Sequence, residues 1–331
     1  MGLSDTLTDA SAEGRPVEVV GAGCHPRGGV VTAAETVRAP SGIVAHEPAD
    51  LTCTMRGGTS LRELAAVLAR AGQELPVSGL PDGATIGGVL SSGSSGRRRL
   101  KTGPLRDRLL QVTVVTGDGR TVKAGGPTVK NVSGYDLGRL VCGSMGTLGV
   151  IVELVMKVTP IPAVSRWWSR PSATPTDAVA TARRVLDDLH DPAVVEVVGP
   201  PWRVDVLIEG HGDDVAAQSA RLDGFEEVAE PPVPDELLEA AVPPALVETV
   251  LDHDQPARAQ LGVGLVMFSG HPDAVDLRAR SEAEGGRLHT LRPIEGFDPF
   301  GSPPRGLEIM RRLKEAFDPA GILNPGRLTF L

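Results

Sequence analysis

Three glycine-rich segments punctuate the first 160 residues, and each adjoins an apolar run. They are GAGCHPRGG from Gly21, GLPDGATIGGVLSSGSSG from Gly79 and GSMGTLGV from Gly143. Glycine has no Cβ, so backbone can pass close to another group there or take a positive φ. One such segment is accounted for by a tight turn. Three within one region are expected to surround a large, extended ligand held mostly by backbone. The Gly79–Gly96 segment holds six glycines and four serines, the composition of a flexible linker. Ile86, Val89 and Leu90 sit inside it, and a solvated linker would leave that apolar trio in water, so the segment is expected to pack.

The remaining composition sets bounds. The 331-residue chain is 41% hydrophobic and 23% charged, which is globular, and its 40 glycines and 28 prolines favour many short elements over a helical bundle. A net charge of -9 argues against nucleic acid as a partner, because nonspecific binding relies on a cationic face. Cys24, Cys53 and Cys142 form no CxxC pair, so a reduced, cytoplasmic protein is expected. No secretory leader is expected from MGLSDTLTDASAEG, and no apolar run reaches a membrane span, so membrane association would be indirect, through a partner. The seven histidines are never closer than 18 residues in sequence, and no metal site is expected.

Periodicity divides the chain near Pro160. Before it, PVEVV, TVRAP, GIVAHEP, LTCTM, Gln111–Thr116 with Arg120–Lys123, and Val150–Val158 read as strands. A helix starts at Ser60, where Ser60 and Glu63 form a capping box ahead of Leu61, Leu64 and Leu68. After it, strand and helix alternate: SRWW, Thr176–Leu189, AVVEVV, RVDVLIEG, a helix near Asp213–Leu222, LGVGLVMF, a helix near Ala274–Glu284 and RLHTL. That alternation predicts an α+β domain of ferredoxin-like type. Asp213–Asp254 holds twelve acidic residues against one arginine and is expected to present a solvated negative face. The loop GAGCHP departs from a nicotinamide dinucleotide fingerprint at Pro26, which stands where a third glycine is required.

GLPDGATIGGVLSSGSSG and KNVSGYDLGRLVCGSMGTLGV resemble the FAD-binding domain of the vanillyl-alcohol oxidase superfamily, also called PCMH-type. SGRRRLKTGPLRD and VKNVSGYDLGRL resemble the FAD-binding subunits of glycolate oxidase more closely, and FDPAGILNPGRL, Phe317–Leu328, resembles the ending of that group. The resemblance implies a PCMH-type FAD-binding domain at 1–160, a cap at 161–310 and a segment at 311–331 returning to the first domain. It implies that Gly21, Ala22, Gly23, Cys24 and His25 wrap the FAD pyrophosphate. Leu80, Pro81, Asp82, Ala84 and Thr85, then Gly87, Gly88, Ser91, Ser92, Gly93 and Ser94, would border the diphosphate and isoalloxazine. Gly146, Thr147, Gly149, Val150 and Ile151 would hold the adenine side.

The resemblance further implies an FAD-dependent oxidoreductase acting on a small 2-hydroxy acid, such as glycolate or D-lactate, and passing electrons to other subunits. The alternative is a non-catalytic flavin-binding accessory subunit. The histidine-rich, metal-associated pattern of related catalytic subunits is absent, and Met145 stands where they carry a glutamate, so work within a hetero-oligomer is expected. Tyr135 and Arg106 are the candidates for catalysis. The basic run of Arg97, Arg98, Arg99, Lys101, Arg106 and Arg108 could clamp a substrate carboxylate or make a subunit contact. A base for the hydroxyl proton is sought among Tyr135, His253 and His289.

Overall fold

Apolar alternation on either side of the Gly117–Gly119 turn produces the central hairpin of the first sheet. In the computed structural model, which describes residues 2–24, 27–126 and 137–331, that hairpin pairs Leu109–Val115 with Thr121–Gly125. Five strands make the sheet, in the order Ile43–Glu47, Thr52–Arg56, Val150–Lys157, Leu109–Val115, Thr121–Gly125, every pair antiparallel. Val150–Lys157 lies in the middle, which is why it reads as an almost unbroken apolar run: both of its faces are covered. Ser60 caps the helix Leu61–Ala69 by accepting a hydrogen bond from the Glu63 amide at 3.1 Å. Leu61, Leu64 and Leu68 then go into the core, each buried leucine contributing about 1.5–3 kcal/mol.

The composition of a linker is overruled at Gly79–Gly96. Thr85 caps a short helix, Ile86–Ser91, and Ile86, Val89 and Leu90 are buried against the sheet. A helix absent from the sequence reading, Leu3–Glu13, buries Leu7 and Ala10 in a small cluster with Val17, Val115, Val150, Ile322 and Leu323. Two of those residues come from the far end of the chain. Val17 donates its amide to the Ile322 carbonyl at 2.8 Å, so the C-terminal segment extends the parallel ribbon formed by Val17–Val19 and Glu35–Val37.

The second half of the chain forms one eight-stranded antiparallel sheet. Its order is Glu226–Val228, Val164–Pro171, Arg203–Gly210, Val194–Gly199, Ala257–Gln260, Leu265–Ser269, Glu236–Ala241, Arg287–Thr290. The ferredoxin-like pattern is therefore present twice, and the two copies join where Val197 pairs with Ala259. Helices Pro175–Asp188, Gly212–Ser219 and Ala274–Ala283 pack on one face over Val195, Val197, Val204, Val206 and Ile208.

The other face carries the alternate residues, and many are charged. Glu196 is 0% exposed and accepts hydrogen bonds from Arg97 at 2.6 Å and from Arg258. Arg97, 1% exposed, also donates to the Pro231 carbonyl at 2.8 Å and lies over the Trp167 ring at 4.1 Å. Arg98 pairs with both Glu74 at 2.6 Å and Glu209 at 2.8 Å. Arg97 and Arg98 thus fasten the first domain to the second sheet. The expectation that the acidic face of Asp213–Asp254 is solvated fails at two positions: Glu236 pairs with Arg258 at 2.7 Å and Glu239 with Arg27 at 2.9 Å, both largely buried. Packing of a second domain over that face removes the water that the alternation implied.

Breaking a buried pair by removing one partner strands the other charge. Glu196→Ala should therefore cost about 3–5 kcal/mol in chemical denaturation. Glu227→Ala, an exposed ion-pair partner of Arg166 on the same sheet, should cost under about 1 kcal/mol.

Candidate functional site

The three glycine-rich segments meet. A Cβ on Gly21 would collide with the Thr85 hydroxyl, so the first loop lies directly on the second. Met145 donates its amide to the Ser91 carbonyl at 2.8 Å and Gly143 to that of Leu90 at 3.0 Å, which draws the third loop onto the second. Between them runs a cleft of about 220 Å³. Gly21, Ala22, Gly23 and Cys24 line it from the first loop; Ala84, Thr85, Gly87, Gly88, Ser91 and Ser92 from the second; Gly146, Gly149, Val150 and Ile151 from the third. His25 and Tyr135 lie outside the described residues.

Beside this cleft is a cavity of about 1040 Å³ between the first domain and the charged face of the eight-stranded sheet. Arg27, Ser92 and Met145 line both spaces. Leu80, Gly93, Ser94, Thr147 and Arg106 are on the cavity side. Pro81 and Asp82 line neither space, and the exposed Asp82 sits 3.6 Å from Arg62. A flat, extended ligand with one end among glycine backbones and the other in a wider chamber fits this shape.

Two residues missing from the sequence reading hold the cleft in form. Asn324, 2% exposed, accepts from the Val19 amide at 2.7 Å and donates to the Met145 carbonyl at 2.7 Å, stapling the first strand to the third loop. Asp318 accepts from the amides of Ile322 and Leu323 at 3.1 and 2.8 Å and pairs with Lys314 at 2.6 Å; Lys314 also donates to the Thr147 carbonyl at 2.9 Å. Both lie in or beside FDPAGILNPGRL, whose sequence shows an ending without showing what it touches. Arg27, Arg38 and Arg327 also line the cleft. Arg38 donates to the Gly21 carbonyl, and Arg327 pairs with Glu18 at 3.0 Å.

Gly146 illustrates the staple. Its φ is +74°, a region side chains disfavour, and a Cβ there would stand 2.7 Å from Asn324 Nδ2. Among protein atoms its tight neighbour is thus Asn324.

The basic run divides by role. Arg97, Arg98 and Lys101 are consumed in contacts between the two domains, Lys101 reaching Asp191 at 3.0 Å. Arg99 and Arg106 instead line the cavity, joined by Arg287 and His289 from the edge strand of the sheet. His289 is half-buried, packed edge-on against Phe300 with ring centroids 5.2 Å apart. Burial and then the Arg287 charge push its imidazole down to about 4, against an opposing pull from Glu239. Burial works to raise the Glu239 carboxyl, but the Arg27 charge prevails and holds it at about 2. His289 is therefore neutral at pH 7 and can accept a proton. His253 is exposed, 3.3 Å from Asp254, and is not on the cavity lining.

A glycine-lined cleft beside such a cavity, between a small α+β domain and an eight-stranded cap sheet, is the architecture of a flavin-linked oxidase. Residues 2–125 match the family described as FAD binding domain, and residues 301–328 match the one described as FAD linked oxidases, C-terminal domain. The solved structure of alkyldihydroxyacetonephosphate synthase shares the fold, with a TM-score of 0.71 at 16% identity over 98% of this chain and 75% of that one. The chain is 32% identical to glycolate oxidase subunit GlcE of Escherichia coli over 311 residues, 88% of this chain and 86% of the relative. It is 26% identical to a D-lactate dehydrogenase of Archaeoglobus fulgidus over 392 residues, 98% of this chain and 88% of the relative. The chain belongs to the PCMH-type FAD-linked oxidase family: it is an FAD-dependent oxidoreductase. No helix among the described residues is long and apolar enough to cross a membrane.

Two outcomes check the site. Asn324→Ala leaves the Val19 amide and Met145 carbonyl without partners, so it should cost about 2–4 kcal/mol and weaken FAD retention together, read by thermal melts and flavin absorbance. His289 is favoured neutral in the folded state, so its stabilisation is full above pH 6.5 and is lost as pH falls toward 4. The stability difference between wild type and His289→Gln should shift against wild type over that window, by on the order of 3 kcal/mol.

Proposed function

We propose that this chain oxidises a small 2-hydroxy acid, as one subunit of a larger oxidoreductase assembly. The observation that carries this reading is a glycine-lined cleft beside a cationic cavity, with Arg27, Ser92 and Met145 on the lining of both and His289 on that of the cavity. The substrate class is supported by relatives whose names specify glycolate and D-lactate, and the assembly by the word subunit in the first of them. The domain division we adopt is 1–160, 161–310 and 311–331.

FAD would lie with its pyrophosphate against Gly21–Cys24 and its ring toward Ser92–Ser94. Gly146, Gly149, Val150 and Ile151 would border the adenine side. Bound there, FAD supplies the electron acceptor for the hydride leaving the substrate α-carbon. Arg99 and Arg106 hold the substrate carboxylate, since a guanidinium matches a carboxylate with two parallel hydrogen bonds. His289 takes the hydroxyl proton: it is neutral at pH 7 and lines the cavity. The cavity lies between the two domains, and their walls lower the local dielectric and strengthen these charge interactions.

Anaerobic mixing of the yellow, FAD-loaded protein with glycolate or D-lactate tests the reading. The flavin band should bleach, faster with the partner subunits present, and an unbleached flavin with every 2-hydroxy acid tried would refute it. Arg106→Gln should lower kcat/KM roughly 10- to 100-fold, mostly through KM, as expected for one hydrogen bond to a charged group.

A further inference from the structure

Glu239 and His289 stand directly opposite one another on neighbouring antiparallel strands, Glu236–Ala241 and Arg287–Thr290. Opposite residues share one face of a sheet, with Cβ atoms about 4.5–5.5 Å apart. Here that face looks into the cavity, and both residues line it. A carboxylate so close favours the charged imidazolium, which would leave no base to receive a substrate proton. Yet burial, and then Arg287, prevail over the pull of Glu239 and hold the imidazole at about 4.

What weakens that pull is Arg27. Its two terminal nitrogens donate to the two oxygens of Glu239 at 3.0 and 2.9 Å, and the side chains are only 11% and 17% exposed. Arg27 belongs to the first glycine-rich segment and lines the cofactor cleft as well as the cavity. The C-terminal segment fixes it there. Arg327 donates to the Arg27 carbonyl at 3.3 Å, and the Gly29 amide donates to the Arg327 carbonyl at 2.9 Å. Gly28 between them has a φ of +86°, and a Cβ on it would collide with that same carbonyl. A guanidinium held in this way occupies both carboxylate oxygens at once.

The other charges around the ring do not replace it. Arg287, two residues back on the same strand, is exposed, and Arg278 of the helix Ala274–Ala283 is shared with Asp298 and Glu282. Phe300 covers the ring edge-on and carries no charge. Glu236, on the same strand as Glu239, is held by Arg258 at 2.7 Å. Among the described residues Arg27 is the one ion-pair partner of Glu239.

We propose that Arg27 is a positioning residue for the base: by holding both oxygens of Glu239 it keeps that carboxylate from drawing a proton onto His289. The imidazole is then free to take the proton from the substrate hydroxyl oxygen onto a ring nitrogen. This rests on the oxidation reading above and gives a residue of the cofactor loop a task in the cavity.

NMR titration of the FAD-loaded protein with isotope-labelled histidine reads the imidazole directly, and the resonance lost in His289→Gln identifies it among the seven. Arg27→Gln should raise its midpoint by about one pH unit or more, and Arg27→Lys, which keeps the charge but loses the fork, by less. The double variant Arg27→Gln with Glu239→Gln should cancel the rise, and it strands no buried charge if Arg27→Gln alone fails to fold. No rise in any folded single variant, or a rise that persists in the double variant, overturns the inference. The pH dependence of anaerobic flavin bleaching by D-lactate completes the test. Its acid limb should move up with the imidazole in Arg27→Gln. A limb that stays in place while the imidazole shifts removes His289 as the base and overturns the positioning role. A shifted imidazole with no bleaching by any 2-hydroxy acid defeats the oxidation reading and leaves the control of His289 by Arg27 and Glu239 standing.

Discussion

Glu196 sits in the middle of the eight-stranded sheet with no exposed surface, between guanidinium groups from two different parts of the chain. A carboxylate in such a place is tolerable only if paired and hydrogen-bonded, because desolvation of a lone charge costs several kcal/mol. Burial alone would raise its carboxyl, and Arg258 with Arg97 reverse that. Arg258 comes from a neighbouring strand of the same sheet, but Arg97 comes from the FAD-binding domain. The charge balance of the cap is therefore completed only when the two domains are together. That requirement fixes the face of the sheet that looks at the flavin side and creates the walls of the large cavity.

The same logic, with hydrogen bonds in place of charges, governs the smaller cleft. Its floor is made of glycine backbones from residues near 21, 87 and 146, and glycine-rich loops have little side-chain packing to hold them. They are held by the C-terminal segment from Leu307 onward. Asn324 takes a left-handed φ of +46° and spends its side-chain amide on Val19 and Met145, while Asp318 and Lys314 tie the helix Leu307–Phe317 to the Thr147 carbonyl. A cofactor site formed early in the chain is completed only by its end.

Electrostatics then sets the chemistry. The chain carries a net charge of -9, yet the cavity beside the glycine-lined cleft is lined by six arginines against three glutamates among the described residues. Field lines focus in a low-dielectric cleft, so a small anion is drawn inward by a protein whose overall charge would repel it. Burial first, and then the Arg287 charge, keep His289 neutral.

Much of the scaffold was legible from residue order. Ser60 with Glu63, the 109–125 hairpin, the strand from Val150 and the doubled strand-helix alternation after Pro160 are local patterns, and local sterics and periodicity decide them. The density of small residues near Gly21, Gly87 and Gly146 likewise announced a backbone-lined cleft, because glycine is the residue that permits close approach. What the sequence could not reveal is which polar residues face water and which face each other. The alternation in RVDVLIEG and in Glu236–Ala241 looks the same whether the polar side is wet or covered, and only the docking of the second domain assigns Glu196, Glu209 and Glu239 to buried arginines. For the same reason Arg97 and Arg99, two residues apart in one basic run, part ways, one locked in a pair and one left lining the cavity. Charge pairing between distant segments is a property of three-dimensional proximity, so it was decided by tertiary structure alone.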